Sequence, residues 1–298
     1  MKLRDIGEIA LINKIAALTK TPPSVFKGIG DDCAVLKYTK DKYLLVTTDM
    51  IIEDAHFRLD KASPEQIGHK AMAVNISDIA ACAGKAKWAL VSVGLPKDIS
   101  VDFIKRLYLS MHKTASEFGI SIVGGDTNFS KKMVLSVTLI GEVSKKRLAL
   151  RSGAKDQDVI FITGALRPYP NDLGFSPRIK EAQFLADNFK INSMIDISDS
   201  LALDLWRILS ESKKGAKIYE SLIPYEGASV KRALTTGEQF ELLFTTAKKD
   251  AKRLLSSSKK RKIKITAIGE ITNNAGRMVL VDRRGKESRL EPEGYEHF

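Results

Sequence analysis

Residues 64–96 read PEQIGHKAMAVNISDIAACAGKAKWALVSVGLP, a segment that predicts one helix followed by one strand. Residues 64–83 are apolar on nearly every side of a helix, and such a helix lies buried inside a protein. Residues 86–96 follow as a strand that ends at Pro96. A buried helix that leads directly into a strand predicts a layered protein in which both kinds of element share a core.

Asp78 interrupts this buried helix. It shares one stripe with Ile67 and Val74, so its carboxyl group is expected to be buried as well. A buried carboxylate must be paired, protonated or bound to a metal ion. His69 and Lys70 belong to other faces, so the helix offers Asp78 no partner of its own. The sequence therefore predicts Asp78 as a metal ligand.

Strands and helices alternate along the remaining chain. A first unit ends near residue 143 and a second begins at about Gly153, so we expect two domains, 1–146 and 147–298. Mixed connections between the strands predict an α+β architecture rather than a doubly wound sheet. The other predicted strands cover 43–49, 120–126, 133–144, 158–164, 239–246, 263–271 and 277–282, and the other predicted helices cover 101–119, 178–189, 200–212 and 248–257.

Composition narrows the class of protein. The chain has 298 residues, of which 44% are hydrophobic, and no apolar run long enough to cross a membrane. Charges throughout the first residues, MKLRDIGEIALINKIAAL, disfavour a signal peptide. Cys33 and Cys82 form no CxxC pair and have no histidine cluster near them, which disfavours a disulfide framework or a structural zinc site. We therefore expect a soluble, cytoplasmic protein.

The formal net charge is +12, and residues 248–264 carry +8 of it. No aromatic side chains interleave with these lysines and arginines to stack on bases. A solvated face is therefore favoured over a nucleic-acid site, and a weak contact with nucleic acid or an acidic surface is the alternative.

Carboxylates recur where predicted strands or helices end, beside glycine or hydroxyl residues. Oxygen ligands without histidine or cysteine partners suit Mg²⁺ or Ca²⁺, and several aspartates can hold more than one Mg²⁺ beside a polyphosphate. Neighbouring glycines would let the backbone approach a phosphate, although the Walker A pattern is absent. Asp199 would equally suit the start of a helix. The set comprises Asp31 and Asp32 of GIGDDCAVL (28–36), Asp49, Asp126 of VGGDT, and Asp196 and Asp199 of IDISDS.

Eight segments follow one another in a particular order: GIGDDCAVL, TTDMIIEDAHF, KAMAVNISDIAACAGKAKWALVSVGLP, IVGGDT, LALRSGAK, IDISDSLALDL, TGEQFELLF and GYEHF. In this order they resemble the thiamine-monophosphate kinase family of the aminoimidazole ribonucleotide synthetase superfamily. The resemblance implies a two-domain fold with an N-terminal sheet domain and a C-terminal α/β sandwich. The N-terminal domains would form a homodimer through their sheets, and ATP would bind at these domains. It also implies phosphorylation of thiamine monophosphate to thiamine diphosphate by ATP, with several Mg²⁺ ions and no phosphoenzyme.

The resemblance gives each matching position a role. The metal ligands would be Asp31, Thr47, Thr48, Asp49, Asp78, Asp126, Asp196 and Asp199. The contacts to ATP would be Gly125, Asp126, Arg151, Ser198 and Tyr108. The catalytic set would be Asp31, Asp78, Asp126 and Arg151. The residues facing the thiamine phosphate would be His56 and Glu238, with Tyr295 or Phe298 packing on the thiamine rings.

The chemistry of this reaction fits these residues. Phosphate attacking phosphate brings two anions together, so charge neutralisation by Mg²⁺ and Arg151 is the main catalytic need. A phosphate oxygen is already a nucleophile and requires no general base. His56 alone would suit a protein core, but its place after an acidic strand end favours a functional role. Asp31 is expected to face Mg²⁺, and Asp32 to support the turn.

Some segments depart from the family pattern. The chain passes almost directly from Gly164 to Pro177 and Arg178, where the family has a Gly-Asp-Ser-Ala-Ala-Gly-Leu stretch and a long segment. We therefore expect a shortened C-terminal domain. Ser200 and Gln239 replace the glycine and the aspartate of the usual Ser-Asp-Gly and Gly-Glu-Asp-Tyr-Glu motifs. ATP and Mg²⁺ chemistry is thus better supported than the identity of the acceptor.

Two alternative functions stay open from the sequence. One is another ATP-dependent enzyme of the superfamily with a different phosphate or amide acceptor. Within that class, a selenophosphate synthetase would need an N-terminal Cys or Sec beside a lysine, and the hydrogenase-maturation dehydratase would need a C-terminal cysteine, where this sequence reads EHF. The other is a non-catalytic protein that binds nucleotides or nucleic acid, for which the basic segment 248–264 would be the support.

Overall fold

The computed structural model describes residues 2–168, 173–227 and 229–297. The helices are α1 (Gly7–Leu18), α2 (Pro64–Ala81), α3 (Val101–Glu117), α4 (Ile179–Asn188), α5 (Leu201–Ser212), α6 (Val230–Thr235) and α7 (Lys248–Lys260). The strands are β1 (Val25–Lys27), β2 (Ala34–Lys37), β3 (Lys42–Ile52), β4 (Lys85–Leu95), β5 (Ser121–Phe129), β6 (Val134–Ser144), β7 (Val159–Thr163), β8 (Ser193–Asp196), β9 (Gly215–Tyr219), β10 (Leu242–Thr246), β11 (Ile265–Thr272), β12 (Met278–Val281) and β13 (Glu287–Arg289).

Helix α2 begins and ends through local chemistry. At its start, the Ser63 hydroxyl accepts from Gln66 N and the Gln66 side chain accepts from Ser63 N, which satisfies two backbone donors at once. At its end, Ala83 has a φ of +55° and Gly84 follows. A β-carbon on Gly84 would lie 2.3 Å from the Leu45 side chain and 3.1 Å from the Ile79 carbonyl oxygen, so glycine leaves room for the close packing at this turn into β4.

The first sheet has the strand order β1-β2-β3-β6-β4-β5, with all pairs antiparallel except β4 and β5. Helices α2 and α3 pack together, and their buried side chains form one core with this sheet. Within the described residues, the opposite face carries no helix of this core and exposes the apolar side chains of Met50, Trp88, Leu90 and Val123. The first sheet is therefore covered on one face only.

The second sheet has the strand order β13-β12-β9-β11-β7-β10-β8. Its neighbours are antiparallel except for β9 and β12. Side chains of α5 and α6 pack on one face, and side chains of α4 and α7 pack on the other. The chain is thus an α+β protein with two sheets, which confirms the predicted class.

Helix α2 also joins the two sheets. It is buried over nearly its whole length, as the sequence predicts, and packs on β3 and β6 of the first sheet. Near its end, Ala80 and Ala81 belong to the core that contains Phe161 and Phe244 of the second sheet. The polar residues at the C-terminal end of α2 therefore lie between the two sheets. No helix in the described part of the chain is long and apolar enough to cross a membrane.

Candidate active site

A cleft of about 860 Å³ lies where the two sheets meet. Six parts of the chain form most of its wall: the turn at 29–32, strand β3, helix α2, the loop after β8, the loop before β10, and the segment 294–297. Most of the predicted site residues line this cleft, namely Asp31, Thr47, Thr48, Asp49, His56, Asp78, Arg151, Asp196, Ser198, Asp199, Glu238 and Tyr295.

Three predicted positions do not line the cleft. Gly125 and Asp126 lie on β5, which is the edge strand of the first sheet, and both are exposed. Tyr108 is half-buried on α3. A β-carbon on Gly125 would lie 1.7 Å from the Val91 carbonyl oxygen, so close pairing with β4 requires glycine here. Phe298 lies outside the described residues.

Three carboxylates from separate parts of the chain meet in the cleft. One carboxylate oxygen from each of Asp32, Asp78 and Asp196 lies within 4.8 Å of the other two. Two hydroxyl groups orient this cluster, because Thr47 Oγ1 donates to Asp78 Oδ2 at 2.5 Å and Ser77 Oγ donates to Asp196 Oδ2 at 2.5 Å. Helix α2 supplies Asp78, and β8 ends at Asp196, which explains why residues so distant in sequence come together.

Burial and mutual repulsion raise the pKa values of four carboxyl groups of the cleft, those of Asp78, Asp196, Asp49 and Asp31. The pKa of Asp78 lies well above its ordinary value, because the group is desolvated and faces Asp49 and Asp196. Desolvation, followed by repulsion from Asp32, also raises the pKa of Asp196. Desolvation together with Asp199 raises the pKa of Asp49 to about 6, and desolvation together with Asp32 raises that of Asp31 to about 7. The cleft therefore concentrates negative charge that favours a cation.

Arg151 neutralises only part of this charge. Its guanidinium donates twice to Asp32 Oδ1, from Nε at 3.1 Å and from Nη2 at 2.6 Å, and its backbone N–H donates to Asp31. The second oxygen, Asp32 Oδ2, is buried without a hydrogen-bond partner among the described residues. The sequence predicts that Asp32 only supports its turn. In the structure Asp32 also belongs to the carboxylate cluster.

A second group of polar residues lies on another wall of the cleft. The Lys70 ammonium donates to Glu238 Oε1 at 2.5 Å and to the His56 carbonyl oxygen at 3.0 Å. Ile52 N donates to His56 Nδ1 at 3.1 Å, which leaves the ring proton of the neutral imidazole on Nε2. Burial and the nearby Lys70 charge lower the pKa of His56, so the neutral ring is favoured near pH 7.

The residues that depart from the family pattern have structural partners. Ser200 begins α5, and its hydroxyl accepts from Leu203 N at 3.0 Å and donates to Glu293 O at 2.7 Å. The cap of α5 is therefore Ser200 and not Asp199, which pairs with Arg207 at 2.5 Å. The Gln239 amide bonds to four backbone groups of the surrounding loops.

Sequence reasoning missed three basic residues of the cleft, Lys70, Arg207 and Arg232. Lys70 belongs to an apolar helix, and a lysine at a position predicted to be buried was the signal that could have identified it. Arg207 follows Asp204 by three residues on α5, a spacing typical of ordinary helix-surface pairs, and this gives no sign of a cleft.

Two family models match the chain. The model described as "AIR synthase related protein, N-terminal domain" matches residues 30–143, and the one described as "AIR synthase related protein, C-terminal domain" matches residues 172–281. Curated relatives include "Thiamine-monophosphate kinase" of Bacillus subtilis (strain 168), which is 33% identical over 98% of this chain and 100% of the relative. The protein of the same name from Aquifex aeolicus (strain VF5) is 33% identical over 100% of both chains.

Solved structures agree with these relatives. The structure titled "AaThiL complexed with AMPPCP and TMP" has a TM-score of 0.84 and 29% identity, and covers 100% of this chain and 99% of that chain. The structure titled "Crystal structure of HypE-HypF complex" is only 20% identical and shows the shared fold alone, with a TM-score of 0.77 over 95% of this chain and 99% of that chain. The fold and the site thus define an AIR synthase related protein. Within that class, this chain belongs to the thiamine-monophosphate kinase family.

Proposed function

We propose that this protein transfers the γ-phosphate of ATP directly to thiamine monophosphate and so forms thiamine diphosphate. One observation carries the proposal: three carboxylates lie within 4.8 Å of one another in a cleft that also contains Arg151. The chain is 33% identical to curated thiamine-monophosphate kinases over 98% or more of its length. A site that must bring two phosphates together needs this concentration of cation-binding groups.

The residues of the cleft suit Mg²⁺. The donors are hard carboxylate and hydroxyl oxygens, and the unpartnered Asp32 Oδ2 is the acceptor that a cation would satisfy. We propose as ligands the predicted residues Asp31, Thr47, Thr48, Asp49, Asp78, Asp196 and Asp199, to which the structure adds Asp32, and Asp126 from a second subunit. Bound Mg²⁺ would neutralise charge on the transferring phosphate, on the phosphate that it leaves and on the phosphate that accepts it. Cys82 lies within 4.8 Å of Asp31 and Asp32, but the rest of the donor set contains only oxygen.

The protein's own groups position the two substrates. Arg151 and Ser198 line the cleft beside the carboxylate cluster, where they would contact the ATP phosphates. His56 would donate from Nε2 to the acceptor phosphate, since its Nδ1 already accepts from Ile52 N. Tyr295 lines the same cleft and offers an aromatic face to the thiamine rings, and we assign the same role to Phe298.

We propose further that the working protein is a homodimer. The uncovered face of the first sheet exposes Trp88, Leu90 and Val123, and a second copy of this face would bury them. Gly125 and Asp126 lie on the edge strand of this sheet, and Tyr108 on α3 beneath it, all outside the cleft of their own chain. A second subunit would therefore bring Asp126, Gly125 and Tyr108 to the ATP site. In this arrangement residues 1–146 form the dimerising, ATP-binding domain and residues 147–298 form the other domain.

The test is direct synthesis. Purified protein is incubated with ATP, Mg²⁺ and thiamine monophosphate, and thiamine diphosphate is measured by chromatography after oxidation to a fluorescent thiochrome. We expect product that depends on all three components and ADP in equal amount. ATP consumption without thiamine diphosphate would favour a superfamily enzyme with another acceptor. Binding of ATP without turnover would favour the non-catalytic alternative.

A further inference from the structure

Lys70 is among the largest side chains that the structure buries almost completely, with 1% of its surface exposed. A buried ammonium group loses several kcal/mol of hydration unless it is well paired. The structure gives Nζ two acceptors, Glu238 Oε1 at 2.5 Å and the His56 carbonyl oxygen at 3.0 Å. One lysine thus holds together the two residues that face the acceptor substrate in the proposed reaction.

The backbone around Glu238 is held in an unusual conformation. Glu238 and Phe240 have φ angles of +54° and +50°, in the left-handed region that side chains other than glycine rarely adopt. Glu238 N donates to Ser198 O at 2.6 Å, and the Phe240 ring stacks on Phe175 with centroids 3.9 Å apart. Residues kept in such conformations cluster at ligand-binding sites, where surrounding contacts fix them.

One oxygen of Glu238 is left without a partner. Oε1 accepts from Lys70, but Oε2 is buried and has no hydrogen-bond partner among the described residues. An unpartnered buried acceptor costs about 1–3 kcal/mol. Glu238 lines the cleft, so a donor on a bound ligand can satisfy this oxygen. The acceptor half of the cleft therefore contains a fixed carboxylate oxygen that is suited to an N–H group.

We propose that Lys70 is a positioning residue that sets the specificity for the acceptor substrate. By holding Glu238 Oε1, it directs Oε2 towards the exocyclic amino group of the aminopyrimidine ring. By holding the His56 carbonyl group, it fixes the loop that carries the His56 ring. This inference rests on the proposed function, because it assumes thiamine monophosphate as the acceptor. Lys70 lines the cleft with only 1% of its surface exposed, and its ammonium group is already engaged by Glu238 and the His56 carbonyl oxygen.

The experiment compares steady-state kinetics of the wild type with those of Lys70→Met, whose side chain is similar in length and uncharged. We expect the KM for thiamine monophosphate to rise about 10- to 100-fold, as for loss of one charge-assisted hydrogen bond, and the KM for ATP to stay within about twofold. Lys42→Met is the matched control, because Lys42 forms an ion pair of similar length, 2.7 Å to Glu142, outside the cleft. Equal effects on both substrates would show a merely structural role and overturn the inference.

A substrate analogue sharpens this test. In the 4-oxo analogue of thiamine monophosphate a carbonyl group replaces the amino group, so it cannot donate to Glu238 Oε2 from that position. We expect the wild type to prefer thiamine monophosphate over the analogue about 10- to 100-fold and Lys70→Met to lose most of that preference. A preference retained in Lys70→Met would contradict the proposed positioning.

Glu238→Gln keeps the test decisive should Lys70→Met fold poorly, because the Glu238 side chain is 21% exposed and tolerates change better. Glu238→Gln should show the same selective rise in the acceptor KM, and the double variant should be no worse than the more impaired single variant. Additive effects would mean that the two residues act separately. Absence of thiamine diphosphate with the wild type would instead refute the proposed function together with this inference.

Discussion

Asp78 and Asp126 occupy very different surroundings, although both are aspartates in segments typical of one family. Asp78 is held by Thr47 at 2.5 Å between the two sheets and meets Asp32 and Asp196. Asp126 is exposed on the edge strand β5, outside the residues that line the cleft. A motif thus identifies the chemistry of a residue, but it does not reveal whether its own chain completes the site.

The largest expected effect tests the buried member of this pair. Asp78→Asn removes one charge from the three-carboxylate cluster and one ligand from the proposed metal site. We expect kcat to fall at least about 1,000-fold, since positioned charge is the main catalytic resource of phosphoryl transfer. The variant should fold normally, because asparagine is isosteric and relieves repulsion that raises the pKa of Asp78.

Turnover and thermal unfolding of Asp78→Asn are measured together. Asp187→Asn is a suitable control, since Asp187 forms an ion pair with Arg147 on the surface and does not line the cleft. Unchanged turnover in Asp78→Asn would remove this residue from the metal site.

The second prediction tests the exposed member. Asp126→Asn should lower kcat about 100-fold if a partner subunit supplies Asp126 to each cleft. Mixing inactive Asp78→Asn with inactive Asp126→Asn should then restore activity, because one of the two sites in each mixed dimer receives an intact residue from each chain. Random exchange would give about a quarter of the wild-type activity. The assay is turnover after subunits have been mixed, unfolded and refolded together.

The mixing experiment also has an outcome that would contradict the shared site. If Asp126 acted within its own chain, every site of a mixed dimer would carry one substitution, and no activity would return. A monomeric wild type in analytical ultracentrifugation would also contradict the shared site.

The third prediction concerns pH and metal removal. The pKa values of Asp31 and Asp49, about 7 and about 6 in the folded protein, exceed the ordinary value of 3.8. At pH values between the ordinary pKa of 3.8 and the raised pKa, the folded state binds more protons than the unfolded state. The free energy of unfolding therefore falls as the pH rises through this range. Each unit of raised pKa corresponds to about 1.4 kcal/mol, so the metal-free protein should unfold more easily at pH 8 than at pH 5.

Thermal unfolding in a chelator, with and without excess Mg²⁺, checks this prediction. Mg²⁺ should raise the melting temperature more at pH 8 than at pH 5, since protonated carboxyl groups bind the cation poorly. Asp31→Asn should flatten the pH dependence. A metal-free protein that is more stable at pH 8 than at pH 5 would contradict the unfavourable ionisation of these groups.

Periodicity and motifs predicted much of the fold, because long elements carry a strong signal. The helix predicted at 64–83 is α2 (Pro64–Ala81), and the strand predicted at 86–96 is β4 (Lys85–Leu95). Short elements such as β8 and α6 were not predicted, because four to six residues contain too little hydrophobic periodicity. The Lys70–Glu238 pair joins residues 168 positions apart, and only the folded chain brings them together.

The smallest expected effect concerns a departure from the family pattern. Ser200 stands where the family has glycine, and its hydroxyl caps α5 and donates to Glu293 O at 2.7 Å. Ser200→Gly should lower the free energy of unfolding by less than about 1 kcal/mol, since glycine is a tolerable cap, and Ser200→Ala by about 1 kcal/mol or more. Turnover should change less than about twofold in both variants, measured beside chemical unfolding, because Ser200 does not line the cleft. A large loss of turnover in Ser200→Gly would instead show that the segment 294–297, with Tyr295, depends on this hydroxyl for its place in the site.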